Sequence, residues 1–155
     1  MRGYATKYID LINRRGEELA RRWFQDTRTN SKTLSYHNLP EDTIIPLAAN
    51  FYQNLGKMLI SEKPGDDDLK FFRNYAETTF KRGIPLDEAI YALALMRRHV
   101  WLFAEFQDIF MKGADRSQAL ETLNMTILNF GYIEYEIVKR YQELILADME
   151  KKLGR

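Results

Sequence analysis

The chain has 155 residues, 45% hydrophobic and 29% charged, which suits one globular domain able to bury its own core. Its 23 Lys and Arg offset 22 Asp and Glu, a balance that argues against a protein built to grip nucleic acid. The absence of cysteine excludes disulfides, thiolate metal sites, thiol catalysis and thioether-linked chromophores, and is compatible with a cytoplasmic protein. The start, Met1 to Ala5, leads into polar residues rather than an apolar signal segment. No run approaches the about 18 apolar residues of a membrane span, so membrane insertion is not expected.

Five helices are expected in an all-α fold. The first runs roughly from Thr6 to Asp26, with Ile9, Ile12, Gly16, Leu19 and Trp23 on one face at spacings of three and four. Gly16 on that face is explained by close approach of another helix, because glycine otherwise weakens a helix. Arg14, Arg15, Glu17, Glu18, Arg21 and Arg22 form a solvated face of paired charges. Residues 27–40 are polar and aperiodic, a loop in which Leu34 and Leu39 turn inward.

The second helix spans about Glu41 to Ile60, with a stripe of Ile44, Ala48, Phe51, Leu55 and Leu59. Pro46 belongs in a first turn, which favours Thr43 over Glu41 as the start. After a turn at residues 62–65, Asp66, Asp67 and Asp68 open the third helix, where negative charge meets the positive end of the dipole. Leu69, Phe72, Ala76 and Phe80 make its inward stripe, and Gly83 its C-terminal cap. Pro85 starts the fourth helix, which reaches to Phe110 and is apolar on more than one face, as a central helix is.

A last turn at residues 112–115 leads to the fifth helix, Arg116 to Lys152. At 1.5 Å per residue this is roughly 55 Å of helix, more than a small domain accommodates. It must kink near Gly131 or project. Its apolar stripe at Ile137, Tyr141, Leu144, Ile145 and Met149 then needs a partner, and a second copy of the chain is the simplest.

Chemistry-bearing motifs are sparse. There is no HExxH, no paired Glu-x-x-His, no P-loop and no GxGxxG. Two histidines without cysteine make a poor zinc site, and no metal is assigned. His37 falls in the polar loop and reads as a surface residue. His99 falls on an apolar stripe of the central helix, where it is either a hydrogen-bonded core residue or the axial ligand of a haem. Arg97 and Trp101, four apart, can stack, and Arg98 has Glu105 as a distant intramolecular partner or a ligand carboxylate as an external one. With Phe103, these residues form the candidate ligand site: Arg97, Arg98, His99, Trp101 and Phe103. The nine Tyr, nine Phe and two Trp either fill the core or ring a cavity.

One stretch is more specific: Lys81-Arg82-Gly83-Ile84-Pro85-Leu86-Asp87-Glu88-Ala89, followed by Ala92-Leu93-Ala94-Leu95-Met96-Arg97-Arg98 and Val100-Trp101. With Tyr75-Ala76-Glu77 before it and Glu18-Leu19-Ala20 and Trp23 in the first helix, it resembles the RsbRD N-terminal domain family. These are globin-like modules of stressosome RsbR-type proteins and of some bacterial sensor histidine kinases. The resemblance implies a globin-like fold, dimerisation, sensing without haem, and a last helix that passes the signal to an output domain. It makes Gly83, Pro85 and Leu86 structural. No kinase or phosphoacceptor sequence follows, so the output implied is a partner protein or a further part of a longer chain.

The reading that follows is a non-enzymatic sensory or signalling module, a homodimer, that binds a small ligand or partner. Two alternatives stand beside it: a haem-binding gas sensor using His99, and an interaction adaptor with no ligand.

Overall fold

A computed structural model describes residues 2–60, 64–103 and 116–154. It is all-helical among these residues: α1 (Arg2–Thr27), a 3-10 turn (Leu34–Tyr36), α2 (Glu41–Ile60), α3 (Asp66–Lys81), α4 (Leu86–Leu102) and α5 (Arg116–Lys152). The end of the expected fourth helix, residues 104–110 with Glu105 among them, lies outside the described residues, as does the turn at 112–115.

α1 and α2 are antiparallel neighbours. Asn13 faces Gly56, Gly16 faces Ala49 and Tyr52, and Arg21 reaches Glu41, so numbers rise on one helix as they fall on the other. Ile12, Gly16, Leu19 and Trp23 are buried as their spacing requires. A Cβ on Gly16 would meet Tyr52 Cβ at 3.7 Å and the Ala49 carbonyl at 3.8 Å, ordinary contact distances. The closer fit is at Gly56, where a Cβ would run into the Asn13 carboxamide. The exposed charges of α1 pair along the helix, Arg21 with Glu17 at 2.9 Å and Arg15 with Glu18 at 3.1 Å. α1 leaves helical geometry at Arg15 (φ −111°, ψ 16°), the residue before Gly16.

α2 starts at Glu41 rather than Thr43. Two amides of its first turn, those of Thr43 and Ile44, donate to the Pro40 carbonyl, which braces the start ahead of Pro46. Pro46 leaves only the Asp42 carbonyl without its amide, at an exposed end of the helix.

The 27–40 loop inverts the expectation for its apolar residues. Leu34 is exposed and Leu39 only half-buried, while Tyr36 is fully buried edge-on against Trp23. The 3-10 turn that points Tyr36 inward is held from outside. Glu88 accepts from both the Ser35 amide (2.8 Å) and the Ser35 hydroxyl (3.0 Å). His37 donates from Nε2 to the Asn30 carbonyl at 2.7 Å, a loop staple rather than a free surface ring.

α3 opens at Gly65, whose amide donates to Asp68, and closes at Gly83 with φ +79°. α4 is central. Two buried side chains donate to carbonyls inside it: Trp23 Nε1 to Ala92 at 2.8 Å and the Tyr52 hydroxyl to Met96 at 2.9 Å. Ala89, Ala92, Leu93, Leu95, Met96 and Val100 are buried, whereas Leu102 is exposed and the helix ends at extended Phe103.

α5 is helical without interruption through Gly131, so it projects instead of kinking. It runs parallel to α3: Arg73 pairs with Glu136, Glu77 with Arg140, and Thr79 meets Tyr141.

Candidate functional site

Of the five residues expected to hold a ligand, the structure commits three to the fold. Trp101 stacks on Tyr8, with centroids 6.4 Å apart and planes 22° apart, rather than under Arg97. Phe103 is buried beneath two guanidiniums from α1, with Arg22 4.8 Å and Arg15 5.9 Å from its centroid. His99 places Nε2 2.9 Å from Asp26 Oδ2, and the second Asp26 oxygen accepts from Asn30. A haem iron would have to displace that carboxylate from Nε2. The groove above the pair is lined by Arg22, Gln25 and Leu102, none of them a nucleophile. Arg97 is half-buried and Arg98 exposed, and neither makes an ion pair with a described residue. These five residues therefore do not converge on one site. Among the described residues no group of three or more His, Asp or Glu is placed to hold a metal.

A second groove of about 820 Å³ lies between α1 and α2 beside Gly16. Its charges are mixed and answer one another, Arg21 being held by Glu17 and Glu41.

The remaining feature is α5, which has two apolar faces. The inner face carries Thr126, Phe130, Ile133, Ile137 and Tyr141, all buried in the chain's own core. Burial lifts the Tyr141 phenol above its ordinary pKa, with the Thr79 hydrogen bond opposing the shift. Its hydroxyl sits 2.8 Å from Thr79 Oγ1 and 3.0 Å from the Ile84 carbonyl, tying α5 to the α3–α4 turn. Arg140 adds a bond to Glu77 at 2.9 Å.

This corrects the expected dimer stripe. Ile137 and Tyr141 belong to the inner face and are unavailable to a partner, and Leu144 is half-buried. Ile145 and Met149 are exposed as expected. They continue an outer face that includes Leu128 (56% exposed), Tyr135 (65%) and Leu146 (60%). Between Leu128 and Gln142 that face holds a shallow groove floored by Gly131 and Val138 and edged by Glu134, Tyr135 and Lys139. The sequence carries the signal for this face as a second apolar periodicity, Leu128, Gly131, Tyr135 and Val138, offset from the first.

Fold and site together define an all-helical domain with an unpartnered face on its longest helix, and among the described residues no helix long and apolar enough to cross a membrane. No protein-family model, curated protein or solved structure matches the chain.

Proposed function

We propose that this chain is a non-enzymatic signalling module that works as a homodimer and passes a signal along α5 to an output protein. The observation that carries this reading is the double-sided α5: one face is locked to the α3–α4 turn through Tyr141, the other is apolar and exposed over several turns. A helix so placed connects the core to whatever covers its outer face. A small ligand or a partner that shifts α4 relative to α3 moves Ile84, and Tyr141 transmits the shift to α5. The likeness of the 81–101 stretch to RsbRD N-terminal domains supports the same reading, including its sensory role.

The test is light scattering of the purified chain across concentration. A dimer is expected in the micromolar range, and a monomer at high micromolar concentration overturns the proposal. The adaptor alternative is favoured by one observation, the close packing of Trp101 on Tyr8 and of Phe103 under Arg22. Native mass spectrometry separates the two: a retained small molecule supports the sensor, a clean apo dimer the adaptor.

A further inference from the structure

The outer face of α5 has a repeat of its own. Asn124, Leu128, Gly131, Tyr135, Val138, Gln142, Ile145 and Met149 follow one another at alternating steps of four and three. This is the 3.5-residue period of a coiled-coil seam, with Leu128, Tyr135, Gln142 and Met149 at a and Asn124, Gly131, Val138 and Ile145 at d. The inner face does not interfere, since Ile133, Ile137 and Tyr141 point into the core. From these residues, and resting on the homodimer proposed above, we infer that α5 pairs with α5 of a second copy of this chain, parallel and in register.

Charge decides the direction. Glu134 occupies a g position and Lys139 the e position five residues on. Both are exposed, and neither has an ion-pair partner among the described residues. In a parallel pair, g of one helix faces e of the next heptad on the other, so Glu134 meets the partner's Lys139, twice per dimer. An antiparallel pair sets g against g and e against e. Glu134 then faces only Leu120, Ile127, Tyr141, Asp148 or another Glu134, and Lys139 meets no acid in any register.

Shape and polarity agree with this register. Among the described residues nothing lies within 4 Å of the position a Gly131 Cβ would take, leaving a hole in the seam. The large Tyr135 side chain lies one turn away, so each copy offers a knob and, one turn before it, a hole. Gln142 is a polar residue at an a position, and in register it meets its own counterpart, where the two carboxamides hydrogen-bond. A slip by one heptad would bury it against Tyr135 or Met149. Leu146 and Ile127, both exposed, flank the seam and widen the apolar contact.

The chain contains no cysteine, so single cysteines report on the pairing without background. Leu128→Cys and Ile145→Cys sit at exposed seam positions roughly 25 Å apart along the helix. Under mild oxidation each variant alone is expected to form a disulfide-linked dimer. Cross-linking only when the two variants are mixed means antiparallel helices and overturns the inference. A dimer by light scattering with no cross-link in either case places the interface elsewhere and also overturns it. A monomer by light scattering defeats the underlying homodimer reading instead. Charge reversal supplies an independent check. Glu134→Lys and Lys139→Glu are each expected to weaken dimerisation roughly tenfold, the double reversal to restore it, and added salt to shrink the difference. Failure of the double reversal to rescue rejects the parallel register.

Discussion

Nε2 of His99 lies 2.9 Å from Oδ2 of Asp26, joining the last turn of α4 to the last turn of α1. Both side chains are mostly buried, at 14% and 29% exposure, so the contact is better shielded than a surface ion pair. His99→Ala is expected to cost about 1 kcal/mol, a fall in Tm of about 2–4 °C for a chain this long. Because Nε2 is engaged, haem added to the purified chain is expected to give no Soret band. A Soret band that disappears in His99→Ala would restore the haem reading.

The same chemical change at two buried tyrosines is expected to have opposite effects. Tyr52 donates its hydroxyl to the Met96 carbonyl, and Tyr52→Phe removes that bond, costing about 1 kcal/mol. The Tyr36 hydroxyl is buried with no hydrogen-bond partner among the described residues, so Tyr36→Phe removes an unsatisfied group and is expected to raise stability by about 1 kcal/mol. Denaturant unfolding of the two variants decides the point. Destabilisation by Tyr36→Phe would mean that the hydroxyl has a partner in solution, such as an ordered water.

Gly83 and Gly16 should respond with opposite signs to alanine. Gly83 has φ +79°, a backbone region where a side chain costs roughly 1–2 kcal/mol, and Gly83→Ala is expected to destabilise by that amount without any clash. Gly16 has no positive φ and has room for a methyl group at ordinary contact distances, so Gly16→Ala is expected to stabilise by about 0.4–1 kcal/mol by lowering the entropy of the unfolded chain. Thermal unfolding of the pair checks both signs.

Burial raises the phenol pKa of Tyr36 and Tyr52 well above the ordinary value of 10.0. Below that value both folded and unfolded chains hold these protons, and the stability is fully present. Above it the unfolded chain releases protons that the folded chain retains, so stability falls as pH rises. Alkaline unfolding is therefore expected, with ionised-tyrosine absorbance for the buried rings appearing together with the loss of helical circular dichroism. Ionisation of all the tyrosines while the helices stay intact would contradict the burial described here.

Much of the helical layout is written locally. Asp66 to Asp68 suit the start of α3, Gly83 is the residue that tolerates φ +79° at its end, and Pro85 precedes α4, each through backbone or dipole effects within a turn or so. The paired charges of α1 are equally local, because residues four apart on a helix meet whatever surrounds them. Longer-range assignments fail in recognisable ways. Tyr36 sits among polar neighbours in a loop, and nothing in that stretch announces that a 3-10 turn, pinned by Glu88 from α4, drives its ring against Trp23. His99 on an apolar stripe leaves a haem ligand and a core residue both open until Asp26 is seen beside it.

The sequence by itself determined that this protein is helical, where most of its helices begin and end, and that its last helix is too long for the globule. Those properties follow from propensity, capping and the 3.6-residue period, which act over a few residues. Only the tertiary structure decided which of the two apolar faces of α5 turns inward. Periodicity states that a face is apolar but not what it meets. Thr79 and the Ile84 carbonyl, more than fifty residues away in the chain, satisfy the Tyr141 hydroxyl and turn Ile137 and Tyr141 into the core, leaving Leu128, Tyr135, Ile145 and Met149 outside.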